Sequence, residues 1–213
     1  MPPGRKPTRS REEFIEAALA YADAHGLEAL TLKALGDALG ASTTAVYRYF
    51  ADKSDLIVAL REHLLTDLVA GLQSSSLDPY DLLVTGALAF RRSVREHPCL
   101  GQIMTLPAFE GSNTAAVPGL IVDALARLGL SGPALVRGYQ QIESYVVGSS
   151  AFDFGSAPEH LSTRRTRLAS GGGAFAELLG QDSDVADNNE AAFEASLRAI
   201  LDSIVAEHAR AAG

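Results

Sequence analysis

Apolar residues recur at helical spacing along most of the chain, and no stretch of useful length alternates as a strand would. In the N-terminal part they form four helical segments. Their starts are marked by residues that cap helices well, namely Ser10, Thr31, Ser42 and Asp52. Glu13 completes a capping box with Ser10, and Gly26 and Gly40 suit the ends of the first two helices. The pattern predicts two short helices joined by a tight turn, followed by a long fourth helix.

The remaining chain continues this helical pattern with interruptions. The apolar residues of the fourth segment keep their spacing through residues 56–72, and the stretch 74–79 ends it. Asp78 and Pro79 then open a helix that reaches about residue 97. Residues 99–114 are less regular and 155–173 form a glycine-containing loop, whereas 117–128, 135–154 and about 187–209 are helical. We therefore predict an all-α fold.

One segment points to a function, because it has the shape and chemistry of a helix-turn-helix whose second helix enters a DNA groove. Residues 31–53 read TLKALGDALGASTTAVYRYFADK. Thr43 and Thr44 would reach base edges, and their methyl groups can meet thymine methyls. Arg48 would pair with guanine or hold a phosphate. Tyr47 and Tyr49 would offer hydroxyl groups to phosphates.

Lys53 would take a phosphate together with the N-terminal amides of the next helix. The predicted DNA-binding residues are Thr31, Ser42, Thr43, Thr44, Tyr47, Arg48, Tyr49 and Lys53. The alternative is that this polar set is an ordinary amphipathic rim. Residues 1–53 are assigned to an N-terminal arm and a three-helix DNA-binding domain, and residues 54–213 to a larger helical domain.

The distribution of charge is compatible with a DNA partner although the net charge is −8. Residues 1–53 contain seven basic and seven acidic side chains, including all three lysines of the chain. The whole excess of negative charge therefore lies in residues 54–213. Phosphate contacts depend on the local field, which salt screens beyond about 10 Å.

The sequence gives little support for a metalloprotein, an enzyme, or a membrane or secreted protein. Cys99 is the single cysteine, which excludes an internal disulfide, and the five histidines lack metal-ligand spacing, so no metal or other cofactor is expected. The chain has no nucleophile elbow, phosphate loop or dinucleotide fingerprint, so we predict that it is not an enzyme. No apolar run is long enough to span a membrane, and no secretory signal is visible. We expect a cytoplasmic protein; a helical interaction module with a vestigial helix-turn-helix is the remaining rival.

Residues 11–60 resemble the N-terminal domain of the tetracycline-repressor (TetR) family of bacterial regulators. The matching residues are Gly26, Thr31, Leu35, Gly36, Gly40, Ala41, Ser42, Tyr47, Arg48, Tyr49, Phe50, Lys53, Ser54, Asp55 and Leu56. Two positions depart from the family pattern. Gly36 stands where Ala is usual, and Tyr49 where His is frequent. The resemblance implies a transcriptional regulator that acts as a ligand-responsive repressor and binds a double-stranded DNA operator.

The resemblance also implies a homodimer and a ligand pocket in the C-terminal domain. The helix at 135–154 and the final helix would form a four-helix bundle across a two-fold axis, matching a palindromic operator. The alternative is that their apolar faces fill the monomer core. The pocket would take an unidentified, largely apolar small-molecule effector. Its expected lining residues are Phe90, Gln102, Met104, Phe109, Tyr139, Gln140, Glu143 and Tyr145. Ligand would tilt the fourth helix and change the spacing of the two DNA-reading units.

Overall fold

Every element in the part of the chain that the computed structural model describes, residues 9–106, 116–154 and 185–212, is a helix. In chain order the helices are α1 Arg11–His25, α2 Leu32–Leu39, α3 Thr43–Tyr47, α4 Lys53–Gln73, α5 Pro79–Glu96, α6 Pro98–Met104, α7 Ala116–Arg127, α8 Gly132–Phe154 and α9 Val185–Ala212. The predicted all-α fold is confirmed. The N-terminal helix-turn-helix unit and the larger helical domain are both present.

Local capping explains why the N-terminal helices begin where the sequence predicts. The Ser10 hydroxyl accepts from the Glu13 amide at 3.1 Å, and the Glu13 carboxylate accepts from the Ser10 amide at 2.6 Å. The other three N-terminal caps each accept from the amide three residues on; they are Thr31, Ser42 and Asp52. Each cap satisfies an amide that the helix itself leaves without a partner.

Helix α6 corrects the sequence analysis, which predicted an irregular segment from residue 99 onwards. Pro98 occupies its first turn, where the missing amide proton of proline costs no hydrogen bond. The helix has only seven residues, so its stability comes from packing. Cys99, Leu100 and Ile103 are all buried. Pro98 is the local signal that could have revealed this helix.

Two hydrophobic cores divide the molecule. The first contains buried residues of α1, α2, α3 and the first part of α4 up to Leu60, together with Cys99 and Ile103 of α6. We call α1–α3 with this part of α4 the head. The second core combines α5, α7, α8 and α9, which we call the body. Leu64 of α4 packs against both cores. The domain boundary after residue 53 stays a prediction.

The outer faces of α8 and α9 differ from the expected wide apolar surfaces. Phe193, Leu197 and Leu201 of α9 are almost fully buried in the core of the protomer itself. The alternative that these side chains fill the monomer core therefore describes them correctly. The exposed residues of α9 include charged side chains such as Asp202 and Glu207 and a stripe of small ones, Ala192, Ala195, Ser196, Ala199, Ser203 and Ala206. On α8, Val136 and Phe152 are more than half exposed.

Candidate DNA-binding surface and ligand cavity

The turn between α2 and α3 is held by backbone hydrogen bonds and a close approach. Gly40 adopts the left-handed conformation with φ 59°, which glycine tolerates best. The Ala41 amide donates to the Gly36 carbonyl oxygen at 2.9 Å. A Cβ atom on Gly36 would lie 3.1 Å from the Ala41 carbonyl oxygen. The glycine that departs from the family pattern thus brings α2 close to the turn.

Three of the predicted DNA-binding side chains lie together on the exposed side of the α3 region. Thr44, Tyr47 and Arg48 are all exposed, and Tyr47 is 57% accessible although it is a large aromatic residue. Thr43 is half-buried. An exposed aromatic hydroxyl beside an arginine and a threonine can donate hydrogen bonds to phosphates and base edges.

Thr31 and Ser42 belong to the same surface but have a local structural task. Their hydroxyl oxygens accept from the amides of Ala34 and Ala45 at 3.0 and 3.2 Å. Each hydroxyl keeps a proton that can be donated elsewhere. Their predicted contact with DNA therefore stays compatible with capping.

Tyr49 and Lys53 have partners within the head. The Tyr49 hydroxyl donates to the Arg9 carbonyl oxygen at 2.8 Å, and its ring lies 5.5 Å from that of Phe14. The Lys53 ammonium donates to the carbonyl oxygens of Leu27 and Glu28 at 2.8 and 3.1 Å. In this conformation Tyr49 holds the backbone at Arg9, and Lys53 holds the loop between α1 and α2. Their roles as phosphate ligands stay predictions.

The body contains a large cavity bounded by α4, α5, α7, α8 and the end of α6. Its volume is about 790 Å³, within the usual range for small-molecule sites. Most of its wall is aliphatic, with contributions from Leu65, Leu68, Val69, Leu83, Ile121 and Val146. Such a wall favours a ligand with an extensive apolar surface.

Four of the predicted pocket residues line this cavity, namely Phe90, Met104, Tyr139 and Glu143. Phe109 lies outside the described residues. The α4 residues at the wall were missed, including Arg61, Glu62, Thr66 and Gln73. Their signal was the apolar spacing of α4, which continues well past the residues that the head needs for its own core.

Three predicted pocket residues have other places in the structure and do not line the cavity. Gln102 accepts from the Leu27 amide at 3.1 Å, because α6 faces the head on that side. The Tyr145 hydroxyl donates to the Phe193 carbonyl oxygen at 3.1 Å, and the two rings stack. Gln140 is exposed on the outer face of α8, where Ser144 and Gly148 follow at intervals of four residues.

Polar groups occupy two places on the cavity wall. On α8, the Tyr139 hydroxyl donates to Glu143 Oε1 at 2.5 Å. Burial, together with the hydrogen bond to this carboxylate and its charge, raises the pKa of Tyr139 to about 12. On α4, burial lowers the pKa of Arg61, and the neighbouring charge of Glu62 opposes that shift. Tyr139 is therefore a neutral donor near pH 7.

Helix α6 connects the cavity with the head. At its start, Asp23 of α1 accepts from the Cys99 amide at 3.0 Å, and its other oxygen lies 2.8 Å from Nδ1 of His97. We call these contacts and the Gln102–Leu27 hydrogen bond the α6 clasp. At the other end of α6, Met104 lines the cavity. The Cys99 thiol is buried, and burial with the nearby Asp23 carboxylate raises its pKa.

Comparison with known families gives matches to both parts of the molecule. The family model described as "Bacterial regulatory proteins, tetR family" matches residues 14–60. The model described as "Tetracyclin repressor-like, C-terminal domain" matches residues 80–207, more than half of the chain. The chain belongs to the TetR family. This confirms the resemblance identified in the sequence, and the family consists of DNA-binding regulators rather than enzymes.

Individual relatives of this TetR-family chain agree in fold. The HTH-type transcriptional repressor DrrR1 of Streptomyces coeruleorubidus is 31% identical over 155 residues, covering 69% of this chain. The match spans 54% of that relative's own length. A possible TetR family transcriptional regulator from Streptomyces coelicolor A3(2) has a TM-score of 0.72 at 25% identity. The superposition covers 92% of this chain and 99% of that structure.

A third similar structure was solved with a ligand. It is a TetR variant from Acinetobacter baumannii AYE in complex with minocycline, with a TM-score of 0.65 at 22% identity. The match covers 96% of this chain and 99% of that one. At this level of identity the similarity shows a shared fold.

The described parts of this TetR-family chain contain neither a cluster of metal ligands nor a membrane-spanning helix. No group of three or more His, Cys, Asp or Glu side chains there is arranged to hold a metal ion. Among the same residues, none of the helices has the length and apolar character that crossing a bilayer requires.

Proposed function

We propose that this chain is a transcriptional repressor that binds a palindromic operator as a homodimer and leaves it when a small, largely apolar molecule enters the cavity. One observation carries the proposal. The exposed group Thr44, Tyr47 and Arg48 and the 790 Å³ cavity belong to one protein and are joined by two helices, α4 and α6. Neither feature is needed for a stable helical fold.

The dimer is supported by the outer faces of α8 and α9. Small side chains along α9 allow a second helix to approach closely, and Val136 and Phe152 of α8 offer exposed apolar surface. A two-fold arrangement of α8 and α9 gives a four-helix interface and carries two copies of α3. Two recognition helices about 34–36 Å apart would read half-sites one helical turn apart.

A ligand would act through differential affinity for two arrangements of the head. Cavity residues of α4 such as Leu65 continue into head residues such as Leu60 without a break in the helix. The α6 clasp provides a second connection, from Met104 at the cavity to Asp23 of α1. The similar TetR variant from Acinetobacter baumannii was solved in complex with minocycline, which supports a small-molecule effector for this chain as well. Coupling energies of about 1–3 kcal/mol are typical for such linked sites.

The decisive experiment is selection of bound fragments from the source genome with the purified chain at near-physiological salt. We expect a palindromic site. Arg48→Ala should then weaken operator binding by about 1–3 kcal/mol without changing the melting temperature. Arg127→Ala, which removes an exposed arginine of α7, is the matched control and should bind normally. Diffuse, salt-labile binding or none would instead favour a helical interaction module.

The dimer has its own test at a glycine of α8. A Cβ on Gly148 would meet nothing within 4 Å in the protomer, so Gly148→Arg leaves the fold intact and introduces charge into the expected interface. Sedimentation should show a dimer for the wild type and a monomer for this variant. Gly119 of α7 is equally free of neighbours and provides the control, Gly119→Arg. A Gly148→Arg protein that remains dimeric would place the interface elsewhere.

A further inference from the structure

The cavity has a charge asymmetry that restricts the ligand. Among the described residues that line it, three carry formal charge near pH 7: Arg61, Glu62 and Glu143. Arg61 and Glu62 are neighbours on α4, and the charge of Glu62 acts on the Arg61 guanidinium. The α4 wall thus carries one charge of each sign. Glu143, on the opposite α8 wall, is a carboxylate in excess.

Tyr139 fixes the Glu143 carboxylate in position. The two residues are one helical turn apart on α8, and the tyrosine hydroxyl donates to Oε1 at 2.5 Å. The hydroxyl proton is committed to this bond, so Tyr139 is not a proton donor for a ligand. A carboxylate accepts up to about four hydrogen bonds. In the described part of the chain, the hydrogen-bond donor to Glu143 is Tyr139, which leaves the other oxygen for a ligand.

The apolar wall determines what kind of cation suits this site. A small, fully hydrated cation would lose its water on entering and would gain one carboxylate in return, which is unfavourable. An apolar body changes this balance, because its burial against residues such as Leu68 and Val146 stabilises the complex. The ligand therefore needs both parts in one molecule.

We propose that the cavity binds an amphiphilic amine, an apolar body with one protonated nitrogen, and that Glu143 recognises the nitrogen while Tyr139 is its positioning residue. The inference rests on the proposed function, since it names the chemical class of the effector. An acidic ligand is the opposite choice. It would have to use Arg61, whose neighbour Glu62 repels it, and it would leave Glu143 without a cation.

Three fluorescent probes with one ring system separate these possibilities: pyrenemethylamine, pyrenemethanol and pyrenecarboxylate. They share the pyrene ring and carry a short substituent that is cationic, neutral or anionic, and we expect the cavity of about 790 Å³ to accommodate the ring. In titrations of the full chain near neutral pH, the amine should bind about ten-fold more tightly than the alcohol, as a charge-assisted hydrogen bond allows. The carboxylate should bind most weakly.

Substitutions of single residues test whether the preference for the amine depends on Glu143 and Tyr139. Glu143→Gln should bring the amine and the alcohol to within about two-fold of each other, because the uncharged amide loses the charge-assisted bond. Tyr139→Phe should reduce amine binding more than alcohol binding, a difference that a general loss of packing would not produce. Glu62→Gln is the matched control and should keep the amine preference. Binding of pyrenemethanol reports an intact cavity in each variant.

Several results would overturn the inference: tighter binding of the carboxylate, no binding of any probe by the wild type, or an amine preference that survives in Glu143→Gln. Operator binding is measured separately and distinguishes this failure from failure of the proposed function. A chain that prefers the amine but selects no operator keeps the ligand class and loses the repressor. A chain that selects an operator but shows no amine preference keeps the proposed repressor function and loses the proposed ligand class.

Discussion

The head and the body are built from the same type of helix but are packed very differently. In the head, Leu35, Val46 and Phe50 are fully buried. A methyl group at Gly36 would be crowded by the Ala41 carbonyl oxygen. The body, with more residues, leaves a cavity of about 790 Å³ between its helices. In the function proposed above, tight packing keeps the DNA-reading surface in one geometry, and the open interior accepts the ligand and responds to it.

The largest expected effect comes from replacing one phenylalanine in each region, which compares how tightly the head and the body are packed. Phe50→Ala should destabilise the chain by about 3–5 kcal/mol, because Phe50 is enclosed on all sides in the head. Phe90→Ala should cost less, since one side of Phe90 already faces the cavity. Urea denaturation of both variants measures the two free energies of unfolding. Equal losses would mean that the body is packed as tightly as the head.

The next effect concerns the α6 clasp. Asp23→Ala removes the acceptor of the Cys99 amide and the partner of His97, and we expect a loss of about 1–3 kcal/mol in stability. Ligand should also change operator affinity less in this variant. Asp37→Ala breaks an exposed surface pair with Lys33 and should cost no more than about 0.5 kcal/mol. Unaltered coupling in Asp23→Ala would leave α4 as the route from the cavity.

A smaller effect separates two tyrosines of the head. Tyr49→Phe keeps the ring on Phe14 but removes the hydrogen bond to Arg9, so we expect a loss of about 1 kcal/mol in stability. Tyr47→Phe removes a hydroxyl from an exposed ring and should leave the melting temperature unchanged while weakening operator binding. The reverse pattern, with Tyr49 affecting DNA alone, would assign the phosphate contact to Tyr49.

The smallest effect is expected at Gly36. Alanine would gain up to about 1 kcal/mol in helix propensity, but its methyl group would crowd the Ala41 carbonyl oxygen at 3.1 Å. We expect the two contributions to offset each other, leaving a net change within about 0.5 kcal/mol. Gly71→Ala in α4, where nothing lies within 4 Å, should show the stabilisation alone. Thermal melts measure the change in stability of each variant. An equal gain for Gly36→Ala and Gly71→Ala would show that the turn after α2 has room for the methyl group.

The sequence analysis was correct for features in which the interacting residues lie close together in the chain. Ser10, Thr31, Ser42 and Asp52 each cap an amide three residues away, so their role can be read directly. Family resemblance supplied the fold of both domains. The exposed position of Tyr47 fits its place next to Val46, because consecutive helical residues lie about 100° apart and Tyr47 is turned away from the face that buries Val46.

It failed where a side chain has a distant partner. Gln102 has the composition expected of a pocket residue, but its partner Leu27 lies 75 residues away. Tyr145 has the same composition, but its hydroxyl donates to a carbonyl oxygen 48 residues further along the chain. These contacts depend on how complete helices pack, which the local pattern of polar and apolar positions does not specify.

The enclosed thiol of Cys99 makes the chain a convenient subject for spectroscopy. Only 1% of this residue is accessible, and its raised pKa keeps it from reacting as a thiolate. A single Ala20→Cys substitution on the exposed side of α1 therefore gives one reactive position per chain. Spin labels at that position would allow pulsed resonance measurements of the distance between the two heads of the proposed dimer. The distance can be compared with and without an amine in the cavity, and no native cysteine has to be removed first.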